Sequence, residues 1–244
     1  GKFHRAQCPL FRCWVLHMFF KRWQWRVMGL TSALLCVSTA GAASLQVQLK
    51  DQQGQALANA VLSLHGPLGG AASPAPAVMD QVQKQFLPAV LAVRSGTRVS
   101  FPNRDDIRHQ VYSFSPAKRF ELRLYKGTPS EPVLFDKPGL VVLGCNIHDW
   151  MVGYIYVTDD PWFAVSDATG TLHLDALPAG RYQVTLWHPQ MTDLLPQAGA
   201  DIELPAAGLQ LSLSVPVGNA VATPPAAPAS AFGDAFKKAV DEDR

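Results

Sequence analysis

Residues 145–151 contain three side chains that can bind a metal. Cys145, His148 and Met151 supply a thiolate, an imidazole and a thioether at the spacing Cys-x2-His-x2-Met. Soft sulfur ligands together with imidazole favour copper, or failing that zinc. Two histidines and one cysteine in a plane, with a weak axial methionine, are typical of a copper electron-transfer centre. The sequence therefore predicts a metal site that needs one more histidine.

His109 is the candidate for that second histidine. It closes an Asn-x5-His stretch that begins at Asn103 and follows the apolar run 98–101. The alternating run 98–101 and the apolar run 140–143 predict β-strands, and the second strand leads directly to Cys145. We therefore expect the two ligand loops to meet at one pole of a β-sandwich.

These residues resemble the cupredoxins, specifically the plastocyanin and amicyanin branch. In that family an Asn-x5-His stretch follows a strand, and the closing Cys-His-Met loop can be as short as it is here. The resemblance implies one type 1 copper ion bound by His109, Cys145 and His148, with Met151 as the axial ligand. It also implies that Asn103 ties the first ligand loop to the Cys145 loop.

The chain departs from the cupredoxin pattern beside its candidate ligands. The family often has Pro before the first histidine and Asn after it, where this chain has Arg108 and Gln110. Asp149 and Trp150 replace the small or apolar residues that are usual between the histidine and the methionine. These changes leave the candidate ligands in place. They affect what the resemblance implies about the choice of redox partner and about the reduction potential.

The pattern of short alternating apolar runs predicts an all-β chain. It is accompanied by 18 glycines and 19 prolines in 244 residues, which favours many turns. Residues 77–158 are predicted to form a Greek-key cupredoxin β-sandwich. Residues 43–66 and 159–217 resemble a smaller immunoglobulin/transthyretin-like or carboxypeptidase-regulatory-like sandwich, because both contain short strands with D-x-x-G or L-P-x-G turns. We expect the cupredoxin unit to be inserted into this second sandwich.

The N-terminal 42 residues read as an upstream extension followed by an export signal. Residues 1–17 carry no recognisable pattern, and Met18 is the expected start. A basic stretch, a short apolar core and an Ala-x-Ala site before Ala43 then follow. An uncleaved N-terminal anchor is the alternative, although the apolar run is short for a membrane span. If the signal is cleaved before Ala43, we expect a periplasmic or secreted protein without a transmembrane segment.

Cleavage before Ala43 would also change the charge and the cysteine count. Loss of six basic residues leaves 15 basic and 19 acidic residues, a formal net charge of −4 instead of +2. Nothing then argues for a nucleic-acid partner. Cys145 is the one cysteine that remains, so it has no partner for an internal disulfide. Metal ligation explains it best, and a small buried apolar residue is the alternative.

The C-terminal residues 218–244 form an Ala/Pro-rich tail. Residues 218–229 are typical of a tether. Ser230 can cap a short amphipathic helix with Phe232, Phe236 and Val240 on one side. A tail of this size is expected to fray.

The remaining polar residues give no sign of catalysis. His65, His173 and His188 are interpreted as surface or packed histidines. The paired carboxylates 105–106 and 159–160 each lie in a turn, where solvation is the ordinary role. Because no nucleophile stands with a base and no phosphate-binding loop is present, we expect a protein that is not an enzyme.

The sequence thus favours an exported blue-copper protein that carries one electron to or from a redox partner protein, such as a dehydrogenase or a cytochrome. One alternative is a periplasmic protein that binds or delivers copper, but only three methionines follow residue 42 and they form no cluster. Another is a surface interaction module with a structural metal. For the electron carrier we expect the ring edge of His148 to reach the surface while Cys145 stays buried. Ile147 and Trp150, with Leu87 or Pro88, are expected to form a small apolar docking patch.

Overall fold

The structure, a computed structural model, describes residues 42–66, 73–129 and 131–218. The predicted export signal, except residue 42, and the predicted tail helix lie outside these ranges. The described residues form strands and loops only, so no helix among them is available to cross a membrane. The strands are β1 (Ala43–Lys50), β2 (Val61–His65), β3 (Ala77–Val78), β4 (Asp80–Val82), β5 (Gln85–Leu87), β6 (Val90–Arg94), β7 (Thr97–Ser100), β8 (His109–Ser115), β9 (Lys118–Tyr125), β10 (Val133–Phe135), β11 (Gly139–Gly144), β12 (Val152–Thr158), β13 (Trp162–Val165), β14 (Thr171–Leu177), β15 (Gly180–Trp187), β16 (Gln197–Ala198), β17 (Ile202–Leu204) and β18 (Leu209–Ser214). The predicted all-β class is confirmed.

Two sheets enclose the predicted metal loops. Sheet 1 has the strand order β6-β12-β11-β8-β9, and sheet 2 has the order β10-β7-β3. Their facing side chains alternate along each strand and form one apolar core, in which the rings of Phe101, Phe120 and Phe135 lie 5.7–6.3 Å apart. Together with the β4–β5 hairpin, these two sheets are called the site half.

Two further sheets are built from the beginning and the end of the described chain. Sheet 3 has the order β13-β2-β15-β16, with β17 also paired to β15, and sheet 4 has the order β14-β1-β18. Strand β1 pairs antiparallel with β14 and parallel with β18, where Leu45 lies opposite Leu209. Sheets 3 and 4 share an apolar core and are called the terminal half. Its transthyretin-like assignment and the predicted domain boundaries stay predictions.

The two halves are joined by continuous apolar packing. Tyr156 of sheet 1 is buried in the same cluster as Trp187 of sheet 3, with 6.0 Å between the ring centroids. Trp187 also lies 5.6 Å from the Tyr154 ring. Because both tyrosines project from the outer face of sheet 1, the terminal half covers that part of the face.

Candidate metal centre

Every second side chain of β11 points into the core, and we call such a set the inward row of a strand. Cys145 reaches the interior because it continues the inward row of β11. Val141 and Leu143 are buried on the core side of this strand, and Cys145 follows at the same two-residue period, with 3% of its surface exposed. The strand ends one residue earlier, at Gly144. The thiol is therefore held by strand geometry on one side and by a loop on the other.

The loop after Cys145 makes two successive three-residue turns. The His148 amide donates to the Cys145 carbonyl over 3.4 Å, and the Met151 amide donates to the His148 carbonyl over 2.9 Å. Residues three apart lie above one another when the chain turns once per three residues. The Cys-x2-His-x2-Met spacing therefore brings successive candidate ligands to the same side. Met151 is 1% exposed and belongs to the core of the site half.

His109 is supplied by the neighbouring strand β8. It is the first residue of that strand, and its side chain is fully buried in the inward row that continues with Val111 and Ser113. Strands β8 and β11 are adjacent in sheet 1, which brings the beginning of β8 beside the end of β11. The two loops meet at one pole of the site half, as the sequence predicts.

The structure brings His109, Cys145 and His148 together into one group. The Cys145 Sγ lies 3.8 Å from Nδ1 of His109 and 3.8 Å from Nδ1 of His148, and the three atoms lie within 4.8 Å of one another. Nitrogen and sulfur ligands about 2.1 Å and 2.3 Å from an ion, at about 120°, lie about 3.8 Å apart. The donor set and its spacing thus fit a trigonal soft-metal site. The structure therefore brings these three residues together at one pole of a β-sandwich.

Asp105 has a role that the sequence interpretation missed. One of its carboxylate oxygens lies 2.8 Å from Nε2 of His109, and its side chain is 15% exposed. The interpretation of Asp105 as a solvated turn residue is therefore wrong, whereas the Asp106 side chain is fully exposed and fits that description. Because the carboxylate accepts a hydrogen bond from the Nε2–H group, Nδ1 of His109 keeps a free lone pair, and that lone pair faces Cys145 Sγ.

Asp105 also anchors the β4–β5 hairpin to the site. Its carboxylate accepts hydrogen bonds from the backbone amides of Gln83 and Lys84, with N···O distances of 2.7 and 2.8 Å. These two residues have φ of 53° and 60°, a left-handed conformation that is unfavourable for non-glycine residues. Burial alone raises the pKa of Asp105, but the hydrogen bonds from Lys84, His109 and Gln83 hold it below its ordinary value. The ionised carboxylate thus stabilises a strained turn and orients a candidate ligand.

Asn103 is buried, but its hydrogen bonds do not follow the family expectation. Its Nδ2 donates to the carbonyls of Ile107 and Tyr125, and its Oδ1 accepts the Asp105 amide. These bonds fix the first ligand loop internally and to the end of β9. Among the described residues, none of the Asn103 side-chain bonds reaches the Cys145 loop, so here the geometry differs from what the resemblance implies.

Tyr125 forms a partly buried polar contact with the residues that precede the first ligand loop. Burial, reinforced by the charge of Cys145, raises the pKa of Tyr125 to about 12, although a hydrogen bond from Gln81 acts in the opposite direction. The phenol stays protonated and donates to the Phe101 carbonyl over 2.6 Å. This hydrogen bond joins β9 to the end of the strand that precedes the first ligand loop.

His148 is more enclosed than the sequence suggests. It is 9% exposed, and the Trp150 ring lies 5.3 Å away while being 45% exposed. Little of the His148 ring edge therefore reaches the surface, and the indole takes the outer position. Burial first, then the nearby His109 and Lys84, lower the pKa of His148, while Asp105 acts in the opposite direction. The neutral imidazole, which is the form that binds a metal, is favoured.

The other predicted polar residues lie away from this group. His188 is buried, and its Nε2 lies 3.0 Å from the Ala58 carbonyl in the terminal half. His173 is exposed on β14, and His65 lies 3.4 Å from Asp160. Asp160 also accepts the Ser63 hydroxyl over 2.6 Å, so it is a structural acceptor rather than a free turn carboxylate. Among the described residues, His109, Cys145 and His148 form the one cluster with metal-ligand spacing.

Parts of the chain are similar to solved copper proteins. A copper-containing nitrite reductase from Thermus scotoductus SA-01 is 28% identical (TM-score 0.33) and matches 38% of this chain, which spans 25% of the reductase. A purple cupredoxin from Nitrosopumilus maritimus is 21% identical (TM-score 0.29) over 33% of this chain and 96% of its own. Amicyanin from Paracoccus versutus is 17% identical (TM-score 0.30) over 34% of this chain and 81% of its own. No protein-family model and no curated protein matches the chain.

Proposed function

We propose that this protein is a one-electron carrier with one type 1 copper ion. His109, Cys145 and His148 would hold the ion, and Met151 would be the axial ligand. The observation that carries the proposal is the buried group in which one Sγ lies 3.8 Å from two imidazole Nδ1 atoms. When bound, the ion supplies a site that changes between Cu(II) and Cu(I) by gain of one electron.

The protein contributes rigidity and the exclusion of water. His109 and Cys145 belong to or follow adjacent strands of sheet 1, and both are at most 3% exposed. Asp105 holds the His109 ring in one orientation from the side opposite the site. Because the ligands are already close together, binding needs little rearrangement, and a fixed geometry also keeps the structural change on electron transfer small.

The surface at this pole supports a redox protein as the partner. Ile107, Ile147, Trp150 and Leu87 are 40–48% exposed, and we call these four residues the docking patch. Trp150 contacts the His148 ring, so a partner on this patch comes close to a candidate ligand. Transient redox complexes use small interfaces of this kind.

Export to the periplasm or the outside of the cell is part of the proposal. It is supported by the basic and apolar stretches and the Ala-x-Ala site in residues 18–42. It also agrees with a single buried cysteine that has no described disulfide partner. The intact mass of the exported protein should correspond to a chain that begins at Ala43, and a product that retains Cys36 would contradict this.

The optical spectrum of the copper-loaded protein tests the function. We expect an intense visible band from charge transfer between the Cys145 thiolate and Cu(II), and a reversible one-electron wave in voltammetry. A colourless protein that binds zinc as well as copper would contradict the proposal and favour a structural metal. A protein that loads copper but passes it to a chelator instead of cycling its oxidation state would favour copper delivery.

A further inference from the structure

The outer face of sheet 1 is covered over only part of its area. Leu140, Tyr154 and Tyr156 pack in the apolar cluster of the terminal half. Further along β11 and β12, Gly144 lies opposite Val152, and neither residue belongs to that cluster. Val152 is 41% exposed. The terminal half therefore stops short of this end of the face.

The uncovered part forms a groove with an aromatic wall. It has a volume of ≈ 420 Å³, and Tyr112, Phe114, Val142, Gly144 and Val152 contribute to its lining. Phe114 is 76% exposed, more than any other exposed large apolar residue of the described chain. The Tyr112 ring lies 5.2 Å from the Phe114 ring and rests against Gly144, where a Cβ would be 2.8 Å from the phenol oxygen. Glycine at 144 thus shapes the groove.

The described chain ends close to this groove. The Gly218 amide donates to the Gln190 carbonyl over 2.9 Å, and Gln190 follows Trp187 by three residues. The Trp187 ring contacts Tyr154, which lies opposite the groove residue Val142. These steps place the groove within roughly 25 Å of Gly218.

The sequence that follows Gly218 has the length and the pattern to fill the groove. Residues 219–229 are rich in Pro and Ala and can span about 30 Å. Phe232, Phe236 and Val240 then recur every four residues, which places them on one side of a helix. A helix this short is marginal in water by itself and needs a surface to cover its apolar side. Insertion of such a helix into an apolar groove is a recurrent mode of recognition.

The charges beside the groove complement the end of this segment. Arg119 and Arg123 flank Glu121 on the outward row of β9, where Arg119 lies opposite Phe114 and Glu121 lies opposite Tyr112. Neither arginine forms an ion pair with another described residue. The sequence after Val240 continues with three acids, at residues 241–243. An acidic segment end placed beside Arg119 or Arg123 is attracted to that side chain, which gives the segment a preferred place.

We propose that residues 230–243 bind back onto this groove as an amphipathic helix, with Phe232 and Phe236 against the Tyr112–Phe114 wall and the acidic end beside β9. The chain then covers the outer face of sheet 1 behind Cys145 with its own tail. A tethered segment experiences an effective concentration on the order of 1 mM, so a weak intrinsic affinity is sufficient.

A peptide of residues 230–244 tests the proposal on the full chain without metal. The peptide is titrated into the Phe232→Ser/Phe236→Ser variant, whose own segment cannot occupy the groove. We expect a Kd below about 1 mM, the effective concentration of the tethered segment. Adding Phe114→Ser should weaken binding at least about tenfold, as for a central aromatic contact. Adding Val78→Ser, at a 52% exposed position on sheet 2, should leave binding unchanged.

Three results would overturn the proposal. The first is no binding at about 1 mM peptide. The second is binding that Phe114→Ser does not weaken. The third is a wild-type dimer that Phe114→Ser separates, because a second copy of the chain would then occupy the groove. All measurements use metal-free protein, so the outcome does not depend on whether the candidate centre binds copper.

Discussion

The two halves of the molecule use similar strands for different purposes. In the terminal half, the inward row of β1 is apolar from end to end, and that of β15 carries Tyr182, Val184 and Leu186. In the site half, the inward row of β11 is apolar until it reaches Cys145, and the inward row of β8 begins with His109 and continues with Val111 and Ser113. Function is therefore concentrated where the apolar alternation is interrupted by side chains that can bind a metal.

The difference also concerns how buried polar groups are satisfied. His188 in the terminal half is held by main-chain atoms, those of Ala58 and Gln190. His109 is instead held by a carboxylate on Nε2, while its Nδ1 faces a thiol. A buried histidine oriented by a carboxylate on one nitrogen and open on the other is prepared for a metal.

The largest expected effect is that of Cys145→Ser. A hydroxyl is a hard, mostly protonated donor, so the visible charge-transfer band of the copper-loaded protein should disappear completely. The absorption spectrum after copper loading measures this. Retention of the band in the variant would show that the thiolate is not a ligand and would remove the functional contrast between the halves.

Trp187→Ala should destabilise the protein strongly without altering the site. Removal of a large buried aromatic side chain costs about 3–5 kcal/mol, and this residue packs against both halves. Urea unfolding of the metal-free protein measures the loss. The matched control is Trp150→Ala, which should destabilise the protein clearly less than Trp187→Ala because Trp150 is 45% exposed whereas Trp187 is fully buried. Equal losses in the two variants would contradict the division between packing and site.

Asp105→Asn should weaken copper binding by about 10–100-fold. Loss of a carboxylate that orients a ligand histidine typically has an effect of this size. Competition with a chelator measures the affinity. Asp106→Asn removes the same charge one residue away, on a fully exposed side chain, and should have no effect. If both variants lose affinity equally, the general charge of the loop matters and the contact with His109 does not.

Met151→Leu should keep the visible band and raise the reduction potential. An axial thioether donates weakly to Cu(II), so its loss favours Cu(I). Voltammetry of the loaded protein measures the change. Met79→Leu, at the other fully buried methionine of the site half, should leave the potential unchanged. An unchanged potential in Met151→Leu would place Met151 outside the site.

The smallest expected effect is that of Asp149→Lys on electron exchange with a cationic inorganic complex. Asp149 is exposed beside His148, so reversal of its charge should repel the cation. The rate should fall at 0.01 M ionic strength, where the screening length is about 30 Å, and recover at 1 M, where it is about 3 Å. Asp193→Lys, an exposed site in the terminal half, should change neither rate. Equal effects of the two variants would show that electrons do not pass at this pole.

The sequence alone is sufficient to predict the positions of candidate ligands where local periodicity determines the structure. The inward positions of His109 and Cys145 follow from strand alternation, and the approach of His148 follows from its spacing in a short loop. The role of Asp105 could not be predicted in this way, because it depends on the conformation of its loop and on the amides of Gln83 and Lys84, which lie 22 and 21 residues earlier. The position of Trp150 over His148 likewise depends on how the loop turns after leaving the strand.

The pairing of β1 with β18 has a consequence for the order of folding. Leu45 and Leu209 lie side by side in sheet 4 although the entire site half separates them in sequence. During synthesis, β1 and β2 emerge first, but their partners emerge only after the site half is complete. Contacts of such long sequence separation form slowly. The site half can therefore close before the terminal half, and an incomplete chain exposes β1 as an unpaired strand that is prone to aggregation.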